Sequence, residues 1–131
     1  MALGSNLGDR AGHLRRAREA LASLPHTQLL AASAIEETPP LAGMPQPSYL
    51  NQMVLLETTL EPRALLQACR DIEQREGRER AQRWGPRTLD LDIVRFGNRH
   101  VNEPDLIIPH PELANRDFWQ RELAELNPHE R

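Results

Sequence analysis

Two aspartates one residue apart in an otherwise apolar run, Leu89-Asp90-Leu91-Asp92-Ile93, carry the clearest chemistry in this chain. Side chains on a strand alternate faces, so Leu89, Leu91 and Ile93 point one way and both carboxylates the other. Two residues of strand advance only ~7 Å. Carboxylates at that spacing can share a hard cation or a pair of them, and Mg²⁺ prefers one or two carboxylates with substrate phosphates and water. An amphipathic strand with a solvated polar face shows the same pattern, so the neighbouring residues matter. Arg75, Arg78, Arg80, Arg83 and Arg87 fall within 13 positions, with glycines at 77 and 85. Guanidinium groups bind phosphate bidentately and keep their charge. Beside a metal-bound polyphosphate they would neutralise charge that builds up during phosphoryl transfer. A solvated loop paired to Glu76 and Glu79 is the alternative. Trp84 fits that alternative poorly, because a tryptophan in a charged loop suggests a lid that closes onto something.

His110 lies in Ile108-Pro109-His110-Pro111, where prolines on both sides fix the backbone. A histidine presented rigidly can donate to a phosphate oxygen; a structural turn histidine has the same local sequence. His13, His26 and His129 read as surface residues, and no histidine pair has zinc-ligand spacing. Tyr49, Phe96 and Phe118 are the single-ring aromatics of a chain with 4% aromatic residues. Tyr49 and Phe118 could sandwich a flat heterocycle, and core packing is the other use for such rings.

The composition narrows the options. All 16 basic residues are arginine, which excludes a P-loop lysine, a Schiff-base lysine and the protein-kinase strand lysine. A net charge of −3 argues against a general nucleic-acid binder. A single cysteine, Cys69, rules out an internal disulfide framework and a cysteine-rich zinc site. No stretch approaches the roughly 20 apolar residues of a membrane span. No secretory signal is evident at the start, so a cytoplasmic setting is expected.

The elements that must position these groups follow from periodicity. Residues 1–6 read as a short strand. Leu14, Ala17, Leu21 and Leu24 then fall at helical spacing, with Asp9 as N-cap and Pro25 as stop. A strand over 28–37 leads into a proline-rich loop from Thr38 to Pro47. A third strand spans Leu50 to Leu60, and its run Met53-Val54-Leu55-Leu56 is apolar on both faces, as in a central strand. Glu61-Pro62 opens a helix with the stripe Leu65, Cys69 and Ile72, ended by Gly77. A strand over 88–96, a hairpin turn at Phe96-Gly97-Asn98-Arg99 and a last helix over about 112–126 complete the chain. This order predicts an α+β fold: a ferredoxin-like βαββαβ sandwich in which an antiparallel sheet carries two helices on one face. The other face is then free for ligands. One domain over 1–131 is expected.

In order and with similar gaps, several segments resemble the 6-hydroxymethyl-7,8-dihydropterin pyrophosphokinase family of folate biosynthesis. They are Ala2-Leu3-Gly4-Ser5-Asn6-Leu7-Gly8-Asp9, Thr38-Pro39-Pro40-Leu41, Tyr49-Leu50-Asn51, Gly77-Arg78, Arg83 through Ile93, Ile108-Pro109-His110-Pro111 and Asn115-Arg116-Asp117-Phe118. The resemblance implies that Asp90 and Asp92 hold two Mg²⁺, that Arg78, Arg87 and His110 bind phosphate, and that Asp90 also meets the substrate oxygen. It places Tyr49 and Phe118 on the two sides of the pterin, and Asn51, Thr38, Pro39 and Leu41 at its edge. Glu73, Ile93 and Arg116 fall where the family has ATP-site residues, and Trp84 falls on a mobile lid. It implies a monomer acting on ATP and a pterin, with no nucleic acid and no membrane.

The chain departs from the family in being short at both termini and in its lid loop. Asp105 also stands where a bacterial type has an arginine near the nucleotide, which would weaken ATP binding. Two rivals are an RNA-recognition sheet and a catalytically silent relative. The first would show aromatics where this chain has Asp90 and Asp92. The second is at odds with the intact set Asp90, Asp92, Arg78, Arg87 and His110.

Overall fold

A computed structural model describes residues 1–39, 47–77 and 88–126. Its elements run β1 (Ala2–Ser5), α1 (Arg10–Ala22), β2 (Thr27–Ala32), β3 (Glu36–Thr38), β4 (Tyr49–Thr58), α2 (Pro62–Arg75), β5 (Asp90–Asp92), β6 (Val101–Glu103), β7 (Leu106–Ile108) and α3 (Asp117–Leu126). The antiparallel sheet has the order β2-β4-β1-β5, and β3 pairs with the start of β4 on the edge that β2 occupies further along. β6 and β7 form a separate hairpin. Both helix starts follow the sequence. The Asp9 side chain accepts from the Gly12 amide at 3.1 Å, and Pro62 sits in the first turn of α2. Among the described residues no helix is long and apolar enough to cross a membrane.

Four expectations need correction. The strand over 28–37 is two strands, because Ser33 interrupts it. The Ser33 hydroxyl accepts the Met53 amide at 2.9 Å, where a regular ladder would offer a carbonyl. The strand over 88–96 pairs only at Asp90–Asp92, opposite Gly4 to Ala2 of β1. The turn at 96–99 forms, with Arg99 N–H donating to the Phe96 carbonyl at 2.9 Å, but the hairpin itself is β6–β7, closed around Pro104 and Asp105. The last helix begins at Asp117, after turns from His110 to Arg116.

The two helices expected on one face, α1 and α2, lie there, but the last helix packs on the other. Leu3, Val54 and Leu91 pack with Leu14, Leu21, Leu65 and Ile72 of α1 and α2. Ala2 and Met53, one residue out of phase, pack with Trp119, Leu123 and Leu126 of α3. α3 therefore covers part of the face expected to be open.

α3 brings a carboxyl under cover. Glu122 is 2% exposed, with its carboxyl beside that of Glu36. Burial first, and then the Glu36 carboxylate nearby, push this group up to about 8. In the folded chain it holds a proton that the unfolded chain releases above pH 4.5. Stability from this group is therefore complete at low pH and falls as pH rises to about 8. The buried Met1 amine, lowered to about 6, acts in the opposite sense between pH 6 and 8. Urea denaturation of wild type and Glu122→Gln separates the two. Wild type should lose stability relative to the variant as pH rises from 4.5 to about 8, and a constant difference would show that Glu122 titrates normally.

Candidate active site

Strand register decides which side chains share a face. Gly4 lies between Asp90 and Asn51, Asn51 pairs onward with Glu36, and Ala2 lies between Asp92 and Met53. Tyr49 pairs with Thr38. Alternation thus puts Asp90, Asp92, Asn51, Tyr49 and Thr38 on one face, the side that carries α3. Both aspartates are half-buried while Leu91 between them is buried, as the apolar/acidic alternation requires. Gly4 leaves the floor between Asp90 and Asn51 bare. A Cβ there would stand 3.4 Å from Asn51 Oδ1 and 3.6 Å from the Tyr49 ring.

One end of this face is polar and ordered by hydrogen bonds. Asn51 Nδ2 donates to Thr38 Oγ1 at 2.6 Å, which fixes the amide and leaves Oδ1 toward Gly4. Where the chain returns toward β4, Arg10 donates to the Ser48 carbonyl at 2.9 Å and the buried Asn6 donates to the Pro47 carbonyl at 3.4 Å. These bonds hold the residues just before Tyr49. Pro39 is exposed at the end of β3.

At the other end His110 faces Asp92. Its amide donates to the Val94 carbonyl at 2.9 Å, tying the segment after the cis Ile108–Pro109 bond to the chain beyond β5. The ring Nδ1 accepts from the Glu112 amide at 3.0 Å, so a neutral ring carries its proton on Nε2. That Nε2 lies 3.6 Å from Asp92 Oδ1. Trp119 stacks edge-on to the imidazole at 4.9 Å, and the Arg116 guanidinium lies 4.5 Å over the Trp119 ring. Phe118 is next to it, half-buried, 6.2 Å from Trp119. Trp119 was missed as part of the site. Its helical spacing with Leu123 and Leu126 marks it as a core residue, and only the folded chain brings His110 against it. A cavity of about 530 Å³ opens beside His110, with Arg95, Pro111 and Gln120 also in its wall.

The remaining expected residues divide. Ile93 is 6% exposed within the core, which leaves its backbone for any ligand contact. Glu73 is 4% exposed and accepts the Leu91 amide at 2.9 Å. Leu41, Arg78, Trp84 and Arg87 lie outside the described residues. His13 is not a surface residue. It lies 2.6 Å from Glu76, which also takes Arg16 at 2.8 Å. Asp105, expected to weaken nucleotide binding by its bare charge, is instead gripped by Arg63 at 2.9 Å and Arg70 at 3.3 Å. Those guanidiniums hold its carboxyl at about 2 and offset its charge, pinning the β6–β7 hairpin to α2.

The donor set suits one kind of cation. Among the described residues no group of three or more His, Cys, Asp or Glu could hold a metal. A structural zinc site would need such a cage. Two half-exposed carboxylates fit Mg²⁺, which fills the rest of its shell with phosphate oxygens and water.

The chain matches the family model described as 7,8-dihydro-6-hydroxymethylpterin-pyrophosphokinase over residues 1–128. Among curated proteins it is 42% identical over 128 residues to the 2-amino-4-hydroxy-6-hydroxymethyldihydropteridine pyrophosphokinase of Pseudomonas aeruginosa, covering 98% of this chain and 79% of that protein. The enzyme of the same name from Methylorubrum extorquens is 40% identical over 128 residues, covering 98% and 81%. The one from Bacillus subtilis is 41% identical over 126 residues, covering 96% and 75%.

Proposed function

The chain belongs to the 7,8-dihydro-6-hydroxymethylpterin-pyrophosphokinase family, and on that premise we propose how its residues carry out the transfer. The enzyme is a pyrophosphokinase of folate biosynthesis. It moves the terminal pyrophosphoryl unit of ATP to the hydroxymethyl group of 6-hydroxymethyl-7,8-dihydropterin. The hydroxymethyl oxygen forms a bond to the β-phosphorus as the bond from that phosphorus to the oxygen bridging it to the α-phosphorus breaks. AMP leaves with the bridging oxygen, and the hydroxyl proton is released.

Asp90 and Asp92 are the metal ligands. Two Mg²⁺ ions, when bound, would supply Lewis-acid charge that offsets the negative charge on the phosphates. Asp90, beside the bare floor at Gly4, is the one closer to the pterin end. Asn51, with its amide fixed by Thr38, hydrogen-bonds the edge of the heterocycle, and Pro39 and Leu41 continue that edge. Tyr49 and Phe118 stack on its faces. His110 donates from Nε2 to a phosphate oxygen beside Asp92, and Arg78, Arg87 and Arg116 balance the remaining phosphate charge. Trp84 closes over the pterin, excluding water. Acting on two small molecules, the chain works as a monomer in the cytoplasm, without nucleic acid or membrane.

The observation that carries this reading is the row across the sheet from Asp90 through Gly4 to Asn51, with Asp92 and His110 beside it. It supports a reading in which a phosphate end and a heterocycle end would lie side by side on one surface, as an in-line transfer between two bound substrates requires. The nucleotide product tests it. With ATP, Mg²⁺ and the hydroxymethyl dihydropterin, AMP should accumulate in step with pterin consumed. ADP in place of AMP would mean transfer of a single phosphoryl group and would reject the reading.

A further inference from the structure

Among the described residues β5 is an edge strand, paired with β1 on one side. Leu91, between the two aspartates, pairs with Leu3. Its amide points away from that partner, and an edge amide buried without an acceptor is costly. Glu73 of α2 supplies the acceptor. Its Oε2 takes the Leu91 N–H at 2.9 Å inside the core, and the side chain is 4% exposed. A carboxylate accepting a backbone amide makes a charge-assisted bond, stronger than the amide–carbonyl bonds of the ladder.

The position of this bond gives it a consequence for the site. The peptide plane that carries the Leu91 amide is the one joining Asp90 to Leu91. Fixing that N–H fixes the plane, and with it the angle between the Asp90 and Asp92 side chains on the opposite face. α2 is held in turn by Leu65, Cys69 and Ile72 in the core, so the anchor is rigid.

We propose that Glu73 is a positioning residue: through its bond to the Leu91 amide it sets the relative orientation of Asp90 and Asp92, and so the affinity of the pair for a divalent cation. The inference rests on the reading of Asp90 and Asp92 as metal ligands. It differs from the role that the family resemblance implies for Glu73, a contact with ATP.

Two measurements on the whole chain test it without relying on turnover. One is hydrogen exchange of the Leu91 amide in the metal-free protein. The other is Mn²⁺ affinity, read by titration in the presence of a non-hydrolysable ATP analogue. Glu73→Ala should speed exchange at Leu91 at least about tenfold and weaken Mn²⁺ binding about tenfold or more, the range for loss of a group that orients a metal ligand. Glu73→Gln keeps the shape and a carbonyl acceptor, so it should restore both. It also covers the case in which the alanine variant folds poorly. The proposal is overturned if Leu91 stays as protected in Glu73→Ala as in wild type, or if its amide is freed while Mn²⁺ affinity is unchanged. It is equally overturned if Glu73→Gln protects Leu91 yet binds Mn²⁺ as weakly as Glu73→Ala, since charge would then be the cause. Failure of the metal reading looks different: Asp92→Ala would bind Mn²⁺ as tightly as wild type, and that result removes both.

Discussion

Asp92→Ala should fold as wild type does and turn over at least ~10³-fold more slowly, because it removes several kcal/mol of transition-state charge stabilisation. The split between folding and rate follows from the alternation of β5. Leu91, 7% exposed, and Leu89, fully buried, hold the strand to the core, while the Asp92 carboxylate is turned to the opposite, half-open face. Removing the carboxylate leaves those contacts intact and takes negative charge from a site that already holds Asp90. The far-ultraviolet circular dichroism and the urea midpoint should therefore be unchanged or slightly improved. Asp90→Ala should behave alike, and chelation of divalent cations should bring wild type down to the level of both. An aspartate variant with near-normal turnover would remove the metal assignment. A variant that loses activity together with its fold would show instead that the acidic face has a structural partner.

The second large effect belongs to His110→Ala, with an expected fall in kcat of about 10²-fold, the scale for losing one donor aimed at developing charge. Three contacts make this histidine a fixed donor. The Val94 carbonyl holds its amide, the Glu112 amide occupies Nδ1, and Trp119 stacks against its ring. The Nε2 proton is then directed toward the Asp92 side, where a metal-bound phosphate would sit. A group that acts mainly in the transition state lowers kcat while the KM for ATP changes little. Loss of the ring edge on Trp119 also costs about 0.5–1.5 kcal/mol of stability, so the midpoint should be read alongside the rate. His110→Ala with a large rise in ATP KM and normal kcat would make the histidine a ground-state contact only.

The sequence made the helices, the β4 strand and the acidic pair legible because each is written in local pattern. The Asp9 cap, Pro62 in the first turn of α2 and the Leu89-Asp90-Leu91-Asp92 alternation all depend on neighbours within a few residues. What escaped depends on long-range partners. The break at Ser33 exists because its hydroxyl can take the Met53 amide, twenty residues away in the chain. The shortness of β5 is set by its pairing with β1, which no pattern in 88–96 reports. The second apolar layer could be read only in part, since α3 shows its own stripe but not the face it covers. The electrostatic corrections have the same origin. Asp105 carries a bare negative charge in the sequence and a neutralised one beside Arg63 and Arg70. His13 looks like an exposed helix residue until Glu76 is brought to it. Within the site, the two carboxylates and His110 were recognisable singly; the Asp90–Gly4–Asn51 row and the Trp119 platform behind His110 needed the fold.

The central claim is that this face of the sheet transfers a pyrophosphoryl unit between two substrates laid across it. Following the label from ATP carrying ³²P at the β-position tests it most directly. With Mg²⁺ and the hydroxymethyl dihydropterin, the label should move in full to the pterin product and the AMP should be unlabelled, and Asp92→Ala should leave the label in ATP. Label recovered in ADP, with none on the pterin, would contradict the account.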